Sequence, residues 1–214
     1  MISNDHERVP LPTPMFPLGV VLFPYAGLPL HVFEPRYRAL TEDCLKGNSE
    51  FGVVLIERGF EVGGGDTRFS VGTVARIVEA ARFADGRWAL LTVGTRRARV
   101  QTWLPDDPYP VALLEDLPDA PLGPRDEARL AEVERVVRRA LALKAELNEP
   151  AVPATVELDD DPERAAFQLA AYAPLGPVDH QRVLEAEPWS SRLTLLTDLV
   201  TEAADVFAFR LSTG

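Results

Sequence analysis

The first half of the chain alternates short apolar runs with turn residues, a pattern typical of β-strands. Asp85-Gly86 joins two extended segments and favours a tight hairpin turn. The other apolar runs, each of about four to eight residues, are too short for helices and predict buried strands. The predicted strands are Val20–Phe23, Leu28–Phe33, Phe51–Ile56, Val71–Phe83, Arg87–Leu104 and Tyr109–Leu114.

A single predicted helix interrupts these strands. Glu34-Pro35 places proline at the first helical position, and Lys46-Gly47 supplies a cation and a terminating glycine. Tyr37, Leu40 and Cys44 share one face at helical spacing, which predicts that Cys44 lies in the core as an inert small hydrophobe. About six short strands with one helix favour a small closed or partly closed barrel.

The apolar positions of the second half recur at helical spacing instead. Arg125–Leu147 carries one apolar stripe with charged residues opposite. Asp161-Pro162-Glu163 combines a cap, a proline at the first helical position and an acidic first turn, which predicts another helix start. Two further helices are predicted, one over Val178–Ala186 and a last one capped by Ser190 or Ser191.

The change from strands to helices falls near Pro118, which is the first of three closely spaced prolines. A chain of 214 residues forms one large domain or two small ones. The sequence therefore predicts an α+β protein with a mainly antiparallel, strand-rich subdomain over residues 1–118 and a helical subdomain over residues 119–214.

Composition and charge narrow the class of protein. The content of 46% hydrophobic residues is that of a globular chain, and the formal net charge is −11. Phosphate backbones repel so acidic a chain, so nucleic acid is disfavoured as a partner. The single cysteine excludes an intramolecular disulfide and predicts a cytoplasmic location.

The stretch Met15–Phe33 contains no charged Asp, Glu, Lys or Arg and is long enough to cross a bilayer. Pro17, Pro24 and Pro29 interrupt it, and each interior proline costs a helix roughly 3 kcal/mol. Short strands with turns are therefore the better interpretation, and no membrane association is predicted.

Several motifs occur in a specific order along the chain. The opening segment combines Phe16-Pro17-Leu18, Val21-Leu22-Phe23-Pro24 and the run from Leu28 to Tyr37 (LPLHVFEPRY). Later segments are Phe51–Val54, Val71–Ile77, Gly94–Val100 and Val178–Glu185. Together they resemble the Lon protease N-terminal, substrate-binding domain family, in a stand-alone bacterial form. His180 departs from the lysine that is common in this family.

The resemblance implies a PUA-like β-barrel with one helix, followed by a C-terminal α-helical bundle. It also implies a non-catalytic module that captures unfolded or apolar polypeptides, with a protease or ATPase partner as a further expectation. The only lysines, Lys46 and Lys144, do not stand in a nucleotide-binding loop. Capture of polypeptide, as a proteolysis adaptor, is the function that the resemblance favours.

The segment around the helix start is the predicted binding site. Phe33 and Tyr37 alternate here with Glu34, Arg36 and Arg38. One interpretation is simple helix entry and packing. The other is an apolar and cationic lip that binds exposed hydrophobic peptide, because interface hot spots are rich in aromatic residues and arginine.

Arg96, Arg97 and Arg99 form a basic cluster on a predicted strand. Strand alternation predicts Arg97 and Arg99 on one face and Arg96 on the other. The first interpretation is a solvated face whose arginines pair with carboxylates. The alternative is a patch for an anionic ligand, which would permit the RNA binding that a PUA-like barrel suggests by fold analogy alone.

No constellation for catalysis or metal binding is evident. His6, His31 and His180 are scattered and lack the spacing of zinc motifs. Cys44 and His31 could act as nucleophile and base, but Cys44 lies on the apolar face of a helix. The Gly63-Gly64-Gly65 run lacks the context of a phosphate-binding loop. The sequence therefore predicts no enzyme, no cofactor and no metal.

Overall fold

The computed structural model describes residues 11–58 and 67–213, so the predictions for His6 and for Gly63-Gly64-Gly65 lie outside the described part. The described residues form an α+β fold in which strands precede most of the helices. The strands are β1 (Pro12–Leu18), β2 (Gly27–Val32), β3 (Glu50–Arg58), β4 (Thr67–Arg82), β5 (Trp88–Leu104) and β6 (Val111–Asp116). The helices are α1 (Pro35–Lys46), α2 (Pro124–Glu146), α3 (Pro162–Tyr172), α4 (Pro177–Glu185) and α5 (Trp189–Thr213).

The six strands form one sheet in the order β2-β5-β4-β3-β1-β6, and β6 also pairs with β5. The pairings therefore return to β5 and close β5, β4, β3, β1 and β6 into a ring. Only β1 and β3 are parallel among these pairs. Strand β2 pairs with the first part of β5, while β6 pairs with its last part. Strand β2 thus lies beside the ring at its edge.

Local signals place α1 and the β4–β5 hairpin where the sequence predicts them. Pro35 begins α1, and the N–H of Gly47 donates to the carbonyls of Asp43 and Cys44 at its end. Gly86 has φ 84°, a left-handed value that glycine adopts without steric cost. Its N–H donates to the Phe83 carbonyl at 2.9 Å and closes the turn.

Two predicted boundaries are wrong. Residues 20–23 form no strand, although Leu22 and Phe23 are buried, and the strand at this end is the proline-rich β1. The Thr73 hydroxyl donates to the Leu22 carbonyl at 2.6 Å, so a side chain satisfies a backbone group in this buried loop. The last helix begins at Trp189, before the predicted caps Ser190 and Ser191.

The helical half packs as α2 along α5, with α3 and α4 against them. Asp161 caps α3 as predicted, because its carboxylate accepts from the N–H groups of Glu163 and Arg164. No described helix combines the length and the apolar character needed to cross a membrane. One continuous core cluster includes side chains of both halves, from Phe16 in β1 to Val200 in α5.

Candidate functional site

A cleft of about 200 Å³ opens between β1, β2 and the start of α1. We call it the β2 cleft. Most of its lining residues are apolar. The lining residues are Phe16, Leu18, Pro29, Leu30, His31, Val32, Phe33, Glu34 and Tyr37. Small-molecule pockets are usually larger, about 300 Å³ or more.

Phe33 is the most exposed aromatic side chain at the mouth of the cleft, with 55% of its surface accessible. It connects β2 to α1, and Glu34 after it precedes the first helical residue. Glu34 and Arg36 form an ion pair of 3.2 Å, both partly buried. The charges at this end of the cleft are therefore balanced.

Tyr37 is 3% exposed, so the predicted lip is wrong for this residue. Its ring stacks on Phe16 with centroids 4.0 Å apart, and the Arg36 guanidinium lies 4.4 Å from the same ring. Tyr37 therefore forms the inner wall of the cleft and connects α1 to β1. A face of the ring that already carries Phe16 is not presented to a partner.

Arg38 does not line the cleft. Its guanidinium lies over Gly86 in the β4–β5 turn, where a methyl group on the glycine would overlap it. The structure thus brings together Phe33, Glu34 and Tyr37 of the predicted site, keeps Arg36 beside them, and places Arg38 elsewhere.

The predicted basic cluster is divided between the surface and the core. Arg96 and Arg99 are exposed, whereas Arg97 is 1% exposed. The interpretation of Arg97 as part of a solvated or ligand-binding face is therefore wrong. Alternation predicts the side of a strand to which a residue points, but here the α4–α5 connection covers the side of Arg97. Arg96 pairs with Glu50 and Asp116 at 3.0 and 2.9 Å.

Arg97 belongs to a buried ionic network that the sequence did not reveal. It donates to both carboxylate oxygens of Asp119, to Glu187 at 2.8 Å and to the Leu184 carbonyl at 3.0 Å. Arg192, also 1% exposed, donates to Asp119 at 2.8 Å. Burial and the neighbouring Arg97 lower the pKa of Arg192. The network joins β5 to the helices.

Arg192 of α5 also contacts aromatic rings. The Arg192 guanidinium lies 4.4 Å from the Trp189 ring and 5.1 Å from the Phe167 ring. The Trp189 indole donates to the Ala120 carbonyl at 2.7 Å, close to Asp119 in the chain. These contacts fix the segment that links strands to helices. The sequence gives no local signal for these contacts. Asp119 directly follows Pro118, and no local pattern pairs it with a distant arginine.

Cys44 is not an activated nucleophile, and the described residues form no metal site. Cys44 is buried, its thiol donates to the Glu50 carbonyl at 3.3 Å, and burial raises its pKa to about 12. A thiol with such a pKa is not a thiolate near neutral pH. His31 is exposed and contacts Phe83. Within residues 11–58 and 67–213, no group of His, Cys, Asp or Glu could hold a metal ion.

The fold is that of a small α+β domain with a cleft whose lining residues are mostly apolar. Residues 12–202 match the family model of the ATP-dependent protease La (LON) substrate-binding domain, and the chain belongs to this family. A Lon protease of Desulfovibrio desulfuricans is 30% identical over 206 residues, which cover 94% of this chain and 23% of that protein. The Lon protease of Anaeromyxobacter dehalogenans is 28% identical and covers 94% of this chain and 24% of its own length.

Solved structures agree with the family. The Lon N-terminal domain protein from Xanthomonas campestris is 29% identical, with a TM-score of 0.63 over 88% of this chain and 98% of that one. The N-terminal domain of the Lon protease of the Mycobacterium avium complex is 20% identical, with a TM-score of 0.66, over 90% of this chain and 99% of that one. The second likeness shows the fold alone.

The chain spans about a quarter of the length of the Lon proteases that it matches. The family is that of a substrate-binding domain, so the predicted resemblance and the prediction of a non-catalytic module are confirmed. Neither the family nor these relatives supports the RNA-binding alternative.

Proposed function

We propose that this chain binds unfolded or apolar polypeptide segments, and that the β2 cleft is the binding site. The observation that carries the proposal is the exposed Phe33 at the mouth of a cleft whose lining is mostly apolar. An exposed aromatic ring beside a pocket is the arrangement of an interface hot spot. The paired charges of Glu34 and Arg36 leave the rim neutral, which favours uncharged segments over charged ones.

Finer features of the resemblance are part of the same proposal. The closed strand ring would be a PUA-like barrel over residues 1–118, and the four later helices a bundle over residues 119–214. The chain would act in the cytoplasm and present its clients to a protease or ATPase partner. Recovery of a proteolytic ATPase with the tagged chain would support the adaptor role, and its consistent absence would count against it.

The test compares two exposed phenylalanines. Phe33→Ser removes the ring at the cleft, and Phe209→Ser removes a ring that is 67% exposed on α5. A reduced, carboxymethylated and fluorescently labelled model protein is titrated against each variant, with binding followed by anisotropy. We expect Phe33→Ser to weaken binding by roughly ten-fold or more, as truncation of a hot-spot aromatic does. We expect Phe209→Ser to bind as the unaltered chain does.

Equal losses in the two variants would contradict the proposal, because they would show binding through scattered surface rings. Both positions are exposed, so neither substitution opens a cavity in the core. Thermal unfolding of each variant checks that the fold is retained.

A further inference from the structure

Strand β2 has a hydrogen-bonding edge without a strand partner among the described residues. It pairs with Trp88–Val93 of β5 on one side only. On the same edge of β5, β6 begins to pair at Ala98, so it does not extend beside β2. Unpaired strand edges present rows of N–H and C=O groups that accept a further strand. Here that edge borders the β2 cleft.

The register of β2 identifies which backbone groups face the cleft edge. The N–H of Gly94 donates to the Ala26 carbonyl at 3.0 Å, so Ala26 faces β5. Alternate residues of an antiparallel strand direct their N–H and C=O groups to opposite sides. Leu28 and Leu30 therefore share the side of Ala26, while Pro29 and His31 direct their backbone groups away from β5. Pro29 can stand here without leaving a gap in the β2–β5 ladder, because proline has no N–H; toward an added strand it offers only its carbonyl.

The other wall of the cleft is also a strand segment for which the described residues provide no second strand partner. The first residues of β1, Pro12–Pro14, pair with β6, but the pairing stops before Phe16. Phe16 and Leu18 pair with β3 on the opposite side and line the β2 cleft. The described part of the sheet thus has a gap between β2 and the end of β1.

The chemistry of this gap selects one kind of occupant. Six residues of β2 span about 20 Å at roughly 3.3 Å per residue, which matches a short strand. The side chains of Leu30 and Val32, two residues apart, line the cleft and leave room for one or two partner side chains. The acidic residue among the described lining residues, Glu34, is already paired with Arg36. Backbone groups would therefore supply affinity, and an uncharged apolar side chain would fill the cleft.

We propose that the ligand of the β2 cleft is an extended, uncharged segment of another polypeptide, which adds to β2 as a new strand. This inference rests on the proposed function and specifies how the substrate is held. Main-chain hydrogen bonds depend little on the sequence of the bound segment, and the small cleft requires only an apolar side chain. Such recognition suits a domain that must accept many unfolded chains.

The first test uses peptides against the unaltered chain. A fluorescein-labelled eight-residue peptide alternating valine and threonine is compared with two forms, N-methylated on all valines or on all threonines. A strand bound along one edge uses the N–H groups of alternate residues. We expect one methylated form to lose binding by roughly ten-fold or more and the other to stay within about three-fold of the parent peptide. Equal affinities of the two forms would overturn strand addition.

The second test changes the protein. His31→Pro removes an N–H that faces the cleft edge, and His31→Ala is its matched control because it keeps that N–H. Both variants remove the imidazole, and the pairing of β2 with β5 does not use this N–H. We expect His31→Pro to weaken binding of the valine–threonine peptide by roughly ten-fold or more relative to His31→Ala. Circular dichroism confirms that each variant is folded.

The outcomes separate the two proposals. One outcome is that Phe33→Ser weakens binding of the denatured protein while His31→Pro binds the peptide as His31→Ala does. This outcome would support the β2 cleft as the binding site and would show that strand addition is wrong. If the peptide does not bind and His31→Pro instead converts a dimer into a monomer in sedimentation experiments, the edge accommodates a second copy and the inference is overturned. If the His31→Pro variant does not fold, the methylated peptides still test strand addition, because that experiment uses the unaltered chain.

Discussion

At the scale of single residues, the most unusual feature is a pair of buried arginines around one carboxylate. Arg97 and Arg192 are each 1% exposed, and both donate to Asp119. Removing one partner of a buried pair leaves an uncompensated charge in a medium that solvates it poorly. Glu187 also contacts Arg97, but half of its side chain reaches solvent. The two carboxylates therefore contribute unequally.

Asp119→Asn and Glu187→Gln measure this difference. We expect Asp119→Asn to lower the free energy of unfolding by about 3–5 kcal/mol, because both arginines lose their shared charge. We expect Glu187→Gln to lower it by less than about 1 kcal/mol, because water replaces a half-exposed carboxylate. Urea unfolding followed by circular dichroism gives both values. Equal effects would show that burial does not set the strength of these pairs.

The sequence located part of the candidate site but could not separate exposed arginines from buried ones. Phe33 and Glu34 lie at the cleft. Their position could be predicted because Pro35 is a local signal for a helix start, and these two residues come just before it. The burial of Arg97 depends on Asp119 and Glu187, which are distant in the chain. Periodicity contains no information about which distant element covers a face of a strand.

At the scale of elements, those defined by local chemistry were predicted and those defined by distant pairing were not. Helix α1 and the β4–β5 turn follow from Pro35 and Gly86. Strand β1 was missed because its prolines disfavour a strand in isolation, yet β3 and β6 hold it from both sides. The apolar pattern of residues 20–23 predicts a strand, but these residues form a buried loop.

That loop approaches β5 closely at Gly94. A methyl group on Gly94 would lie 2.2 Å from the Phe23 carbonyl oxygen, which is backbone and cannot rotate away. We expect Gly94→Ala to lower the free energy of unfolding by about 1–3 kcal/mol through overpacking. Gly27 is the matched control, because it pairs with Val93 next to Gly94 but has nothing within 4 Å of an added methyl group.

We expect Gly27→Ala to leave stability unchanged or to raise it by up to about 1 kcal/mol, since alanine restricts the unfolded chain. Thermal and urea unfolding of the two variants give the comparison. A harmless Gly94→Ala would mean that the Phe23 carbonyl moves freely away from β5, although Tyr25 and Ala26 just after it are hydrogen bonded to Gly94.

At the scale of the whole molecule, the strand half and the helical half share one core. The core cluster continues from the strands into the helices. The amide of Gln181 in α4 donates to the Val71 carbonyl of β4 at 2.9 Å, and Arg97 of β5 donates to the Leu184 carbonyl. Separating the halves would expose apolar surface and leave these buried polar groups without partners. The halves differ in secondary structure but not in the core that they bury.

We therefore expect the chain to unfold in one cooperative transition, although its sequence changes character at Pro118. A Trp189→Phe variant tests this, because its remaining tryptophans, Trp88 and Trp103, both lie in β5 and report on the strands. Ellipticity at about 222 nm reports on the helices of the same sample. In a cooperative transition, any loss of stability from the substitution shifts both probes alike. Coincident urea midpoints are expected. Two separated midpoints would show that residues 1–118 and 119–214 fold independently, and that their shared core contributes too little to couple them.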